Sequence, residues 1–78
     1  MDARPLTLDE LDAHIAAHPA DADALCRRAA LHWAMGHRGR AMTDYAAAAA
    51  LDPSGPATAA LEHLHAIMDF TAPDLYNP

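Results

Sequence analysis

Residues 45–53 read YAAAAALDP, a run of five alanines between a tyrosine and Leu-Asp-Pro. Alanine is the strongest helix former, and the residue before a proline is disfavoured in the α region, so the run predicts a helix that ends before Pro53. Because small side chains let helix backbones approach closely, the alanines of this segment can form a groove for neighbouring helices. For three alanines of the run the alternative is exposure, with helix propensity as their sole role: Ala46, Ala47 and Ala50.

Length and composition predict one small all-α domain, residues 1–78. A chain this short buries only about 60% of its unfolded surface, so its core is marginal. A single cysteine, Cys26, cannot form a disulfide within the chain, and association with a partner becomes the expected reinforcement. Alanine is abundant and β-branched residues are few, which leaves little material for strands.

The charge balance argues against nucleic acid or an anionic membrane as a partner. The formal net charge is -6, and the five basic residues are all arginine. Phosphate binding requires clustered positive charge, which this chain lacks. The sequence has no apolar run long enough to span a bilayer and no signal-peptide profile at its N-terminus, so we expect a cytoplasmic protein.

Capping and helix-breaking residues divide the chain into four predicted helices. Thr7 and Glu10 form a capping-box pattern, Asp21 can cap the second helix, and Gly36 suits the position after its end. The predicted segments are about Leu8–Ala17, Ala22–Met35, Arg40–Leu51 and Pro56 to Asp69 or Phe70, followed by a tail over residues 71–78. In the fourth helix, apolar residues fall at the three- and four-residue steps of an amphipathic stripe: Leu61, Leu64, Ile67 and Met68.

Two helix ends repeat at a fixed distance, because Pro19 and Pro53 lie thirty-four residues apart. Between them, large, small and turn residues follow a helix-turn-helix pattern: Leu25, Ala29, Gly36, Ala41, Tyr45, Ala48 and Leu51-Asp52-Pro53. Residues 22–55 thereby resemble one tetratricopeptide repeat, whose period is thirty-four. The resemblance implies antiparallel helix hairpins in a short right-handed superhelical stack, with residues 8–17 and 56–70 as flanking helices. It also puts Ala41 and Ala48 at the small positions of the second helix, where we expect them to contact neighbouring helices.

Three residues depart from the family pattern, which commonly has apolar or aromatic residues in their place: Arg28, His32 and Arg38. We expect their stems to pack while their polar heads reach solvent. The chain contains one complete repeat, whereas about three are normally needed for an independently stable array. The resemblance therefore implies a homo-oligomer that continues the stack from chain to chain.

In tetratricopeptide arrays, the first helix of each repeat lines a concave surface that binds a peptide or protein segment. By that resemblance the partner-binding residues are Asp23, Cys26, Arg27, Ala30 and Trp33. Trp33 is the leading candidate because aromatic residues are enriched at binding hot spots, although it can equally pack in the core. Cys26 and Ala30 lack the polar groups of the carboxylate clamp found in some members, so we do not expect a clamp of that kind.

The histidines suggest an alternative function, a metal-binding or pH-responsive helical protein. Glu10, His14 and His18 are spaced four apart on one helical face, and two histidines at that spacing can share a metal. The segment lacks the glutamate of the metalloprotease motif, and a solvated polar face explains the same spacing. His63 and His65 are two residues apart and point to different sides of their helix.

No catalytic pattern is visible in the sequence. Cys26 would need a base to act as a nucleophile, and His32 is six residues further along the same helix, so a buried structural thiol is expected. We expect no enzymatic activity and no cofactor. The tail carries Leu75 and Tyr76 after Phe70, and it can dock on its own chain, dock in another protomer or remain disordered. The sequence predicts a self-associating protein-protein interaction module.

Overall fold

The computed structural model describes the backbone of residues 6–76 and the side chains of residues 6–67. Within that range the chain forms four α-helices and no strand, so the predicted all-α fold is confirmed. The helices are α1 (Leu8–Ala17), α2 (Ala22–Ala34), α3 (Arg38–Leu51) and α4 (Pro56–Tyr76).

The first two helices begin at the predicted caps. The Thr7 hydroxyl accepts a hydrogen bond from the Glu10 backbone N–H at 3.2 Å, and the Glu10 carboxylate accepts one from the Thr7 N–H at 2.9 Å. Asp21 Oδ1 accepts the Ala24 N–H at 3.1 Å at the start of α2. Each of these bonds satisfies a backbone donor that has no partner within the helix.

Three helix boundaries differ from the prediction. Helix α2 ends one residue earlier, and α3 begins at Arg38 because the Ala41 N–H donates to the His37 carbonyl at 3.0 Å and closes an earlier first turn. Helix α4 continues to Tyr76 through the segment predicted as a tail, although Pro73 cannot donate a backbone hydrogen bond there. The docking predicted for Leu75 and Tyr76 concerns side chains that lie outside the described residues.

Glycine shapes the turn between α2 and α3. Gly36 has a φ of 84°, a left-handed conformation that costs glycine little. Its N–H donates to the Trp33 carbonyl at 3.0 Å, and the His37 N–H donates to the His32 carbonyl at 2.8 Å. This pair of bonds is the Schellman arrangement, which satisfies the last carbonyls of a helix and reverses the chain.

The turns after α1 and α3 share one backbone geometry at the thirty-four-residue offset. His18 has φ/ψ of -134°/70° and Asp52 has -141°/82°, and each precedes a proline. The Asp21 N–H donates to the His18 carbonyl at 3.1 Å, and in the same way the Gly55 N–H donates to the Asp52 carbonyl at 3.0 Å. The sequence spacing thus corresponds to a repeated helix-ending structure, as a helix-turn-helix repeat would produce.

The helices pack chiefly in chain order. Helix α2 contacts α1 and α3, and α3 contacts α4, with the most extensive contact inside the α2–α3 hairpin. In repeat proteins the stability depends on such nearest-neighbour interfaces. Helices α1 and α4 therefore form the two ends of a short stack.

The centre of the stack is built from small residues, as predicted. Ala29, Ala41 and Ala48 are each 0% exposed, between larger core residues such as Leu11 and Tyr45. Three other alanines of the run follow the alternative, because they are exposed: Ala46, Ala47 and Ala50. Helix propensity explains alanine at those exposed positions, whereas close packing between helices explains Ala41 and Ala48.

The apolar stripe predicted on α4 is only partly buried. Leu64 is buried, Leu61 is half-buried and Ile67 is 41% exposed, so the described part of the stripe lies against the core only through Leu61 and Leu64. Met68 lies outside the described side chains. Nowhere in the described part of the chain does a helix combine the length and apolarity needed to cross a bilayer.

Candidate interaction surface

The five residues predicted to bind a partner lie on α2, but the structure does not bring them around one cavity. Asp23, Arg27 and Ala30 are exposed, whereas Cys26 and Trp33 are half-buried. Arg27 Nε lies 2.9 Å from Asp23 Oδ2, one helical turn away. Both side chains are mostly in solvent, so this ion pair adds little stability and leaves both charges accessible.

One apolar groove opens between α1 and α2, and we name it the α1–α2 groove. It is lined by Leu6, Leu11, Arg27, Ala30 and Leu31 and encloses about 310 Å³. Leu11 forms its floor, since this side chain is 1% exposed, while Leu6 at the rim is 41% exposed. Two predicted partner-binding residues, Arg27 and Ala30, thus contribute to a concave and largely apolar surface.

A smaller cleft lies where the start of α2 meets the start of α4, and we name it the α2–α4 cleft. It encloses about 140 Å³ and is lined by Ala22, Asp23, Cys26, Ala48, Asp52, Gly55, Pro56 and Ala57. The Asp52 side chain lies against Gly55, and a Cβ atom added at Gly55 would lie 2.5 Å from Asp52 Oδ2.

The Cys26 thiol, which lines this cleft, is not activated. Burial, with a smaller effect of the Asp23 charge, raises the pKa of the Cys26 thiol. The thiol therefore stays protonated at neutral pH and is a poor nucleophile.

Trp33 lies outside both of these cavities. It packs against the core from the C-terminal end of α2, and the Arg38 guanidinium carbon lies 5.5 Å from the ring centroid. A cation at that distance over an indole ring is attracted by the ring quadrupole. One part of the indole thus supports the core, and another part is covered by an arginine from the next helix.

The expectation that Arg28 reaches solvent is wrong. Its guanidinium binds Asp44 through two hydrogen bonds, Nε to Oδ2 at 2.8 Å and Nη2 to Oδ1 at 2.9 Å. Its Nη1 also donates to Asp12 Oδ1 at 3.0 Å, so Arg28 connects α1, α2 and α3. The bonds to Asp44, and then those to Asp12, raise the pKa of Arg28 above its ordinary value. This network was missed because each charge, taken alone, is typical of a solvated helix face.

His32 also departs from the expectation of a solvent-exposed head, because it is only 7% exposed. Its Nδ1 lies 3.3 Å from Nδ1 of His37, across the turn that contains Gly36. A buried imidazole needs a partner for each ring nitrogen that solvent does not reach, and His37 supplies one. The sequence signal was the five-residue spacing of two histidines around a turn glycine.

The candidate metal residues on α1 are engaged in structural contacts. The Glu10 carboxylate closes the capping box, and His14 Nε2 donates to Asp21 Oδ2 at 2.7 Å. The His14 and His18 rings lie side by side with centroids 4.7 Å apart. The hydrogen bond from His14 to Asp21 is the main reason that the pKa of Asp21 is lowered, and the hydrogen bond from the Ala24 N–H contributes next.

No group of three or more histidine, cysteine or acidic side chains among the described residues is arranged to hold a metal ion. Comparisons of the chain with protein-family models, with curated proteins and with solved structures found no match.

Proposed function

We propose that this chain is a tetratricopeptide-like protein-protein interaction module without enzymatic activity, working in the cytoplasm, and that its first partner is a second copy of itself. The observation that carries the proposal is the α1–α2 groove, an open apolar surface next to the exposed face of α2. Concave apolar surfaces with a few polar groups at the rim are typical binding sites. Arg27 is the rim group here, and its charge can orient an incoming segment.

The composition of the core supports association. Among the described side chains, Leu11 is the one large residue that is less than 2% exposed, and much of the rest of the core is alanine. A core of this kind provides little hydrophobic stabilisation for a chain of 78 residues. Leu6, Met35, Leu51 and Ile67 are large apolar residues that remain more than two-fifths exposed. Burying such surfaces between copies is the available way to add stabilising area.

The state of the reactive side chains supports a role in binding over one in catalysis. The Cys26 thiol is held protonated, the Asp44 carboxylate is occupied by Arg28, and the Asp21 carboxylate caps α2. These groups stabilise the fold, and each is already engaged. Recognition through shape and apolar contact needs none of them.

The experiment is a measurement of mass by light scattering after size exclusion, over a range of concentrations. We expect wild-type protein to exceed the monomer mass and Ala30→Glu to return towards it, because association would have to remove the new carboxylate from water. Ala47→Glu is the matched control, since Ala47 is exposed on α3 and lies outside the groove. Association through apolar surface should persist at high salt, which screens the repulsion between copies of net charge -6.

Two results would count against the proposal. A chain that stays monomeric at high micromolar concentration, in low and in high salt, has no self-association to explain. An Ala30→Glu variant that assembles as well as wild type would place the contact elsewhere. Trp33→Ala then distinguishes an interface at the end of α2, although it also removes a core contact.

A further inference from the structure

Two histidines face each other across the α2–α3 turn, at a place where helices usually carry an apolar contact. His32 and His37 are the residues whose backbones make the outer Schellman bond, at 2.8 Å. The side chains at these two positions are frequently hydrophobic and pack together. Here the two Nδ1 atoms lie 3.3 Å apart and the ring centroids 5.5 Å apart. The centroid distance exceeds the nitrogen distance by about two ring radii, so the rings meet nearly head-on.

This geometry accommodates one proton between the rings. When both imidazoles are neutral, one Nδ1–H donates and the other Nδ1 accepts. A first added proton can bind the outer nitrogen of the exposed His37 and leave the contact intact. A second added proton puts two N–H donors face to face, and the contact becomes repulsive. The number of protons on the two rings therefore decides whether this contact holds the turn.

Charged groups from α1, α2 and α3 lie near His32. Arg28 from its own helix and Arg40 from α3 line the same open cavity as His32, together with the Asp44 carboxylate. Asp44 already binds the Arg28 guanidinium in a bidentate pair, and Asp12 from α1 binds the same guanidinium. These carboxylates are therefore engaged with Arg28, while the charge on Arg40 remains. The two carboxylates and the two guanidinium groups near His32 cancel in formal charge, so the head-on contact with His37 is what a second added proton would disturb.

The neighbouring residues couple this pair to the tryptophan. Trp33 and Arg38 follow His32 and His37 directly, and they make the next contact across the same turn, with the guanidinium carbon 5.5 Å from the ring centroid. We propose that His32 and His37 form a one-proton latch on the α2–α3 turn, and that a second added proton opens it and removes Arg38 from the face of Trp33. This device is independent of self-association and goes beyond the function proposed above.

Trp33 is the single tryptophan of the chain, so its fluorescence reports on the latch directly. Emission spectra of the full chain at low micromolar concentration are recorded from pH 8 to pH 5, beside an NMR titration of the imidazole nitrogens. The diagnostic variant is His37→Asn, because an amide can donate to a neutral His32 or accept from a protonated one. His63→Asn is the matched control, since His63 is exposed on α4.

We expect wild-type emission to stay constant when the His32–His37 pair gains its first added proton. Emission should shift to longer wavelength when the pair gains the second. His37→Asn should abolish that shift, and His63→Asn should retain it. A wild-type spectrum that is unchanged down to pH 5 would overturn the proposal. It would also fail if His37→Asn gave the same pH profile as wild type, or if the emission followed the first step.

Discussion

Replacing Arg28 by methionine should be among the most damaging single changes on the surface of α2. The Arg28 side chain is 23% exposed and makes two hydrogen bonds to Asp44, whose side chain is 8% exposed. Methionine keeps most of the apolar stem but leaves the Asp44 carboxylate buried without a cation. Loss of one partner from a buried pair usually costs about 3–5 kcal/mol, because the remaining charge stays desolvated.

We take the lower end of that range, about 3 kcal/mol, since Arg28 is partly exposed and water can reach the vacated site. In a domain of this size each kcal/mol moves the midpoint of thermal unfolding by about 4–8 °C, so the variant should melt at least about 12 °C lower. The third contact of Arg28, to Asp12 at 3.0 Å, adds little because the Asp12 side chain is 52% exposed.

The assay is urea unfolding followed by circular dichroism, at fixed protein concentration and pH 7. Arg27→Met is the control, because Arg27 is adjacent, exposed and paired only at the surface, and it should change stability by less than about 0.5 kcal/mol. The double variant Arg28→Met/Asp44→Leu removes both charges and should recover to within about 1 kcal/mol of wild type. The reasoning is refuted if Arg28→Met costs no more than Arg27→Met, or if the double variant is no more stable than the single one.

Three further predictions address packing, the turn and acid sensitivity. Ala48→Leu should cost about 1–3 kcal/mol in urea unfolding because Ala48 is fully buried, whereas Ala47→Leu should be nearly neutral, and equal costs would contradict the packing argument. Gly36→Ala should cost about 1 kcal/mol because φ is 84°, and an unchanged midpoint would show that the turn tolerates a Cβ. The lowered pKa of Asp21, caused first by His14, means that its stabilisation is present above about pH 4 and is lost as pH falls through the folded-state value. Asp21→Asn keeps the cap but should reduce the loss of unfolding free energy between pH 5 and pH 3, and an unaltered acid dependence would contradict the His14 contact.

Local signals in the sequence predicted the architecture well. Thr7, Asp21 and Gly36 each make hydrogen bonds with residues three positions away, so their roles depend only on nearby residues. The two prolines at thirty-four-residue spacing likewise restrict the residue before them, and both turns have the same geometry. The burial of Ala41 and Ala48, each 0% exposed, was expected from their small size and from their positions in the helix-turn-helix pattern.

The polar contacts between helices could not be predicted in the same way. Arg28 and Asp44 are sixteen residues apart, and they meet only because two antiparallel helices align them. His14 and Asp21 meet because the turn after α1 folds back at a particular angle. The five predicted partner-binding residues share a helix face, but which cavity each one borders depends on where α1 and α4 lie against α2.

The most direct test of the proposed self-association is an NMR dilution series of backbone amides, from about millimolar to about ten micromolar protein. We expect the amide signals of three α1–α2 groove residues, Leu11, Ala30 and Leu31, to shift with concentration, while those of the exposed Ala46 and Ala47 stay constant. Spectra that are independent of concentration, or shifts confined to the α2–α4 cleft, would contradict it.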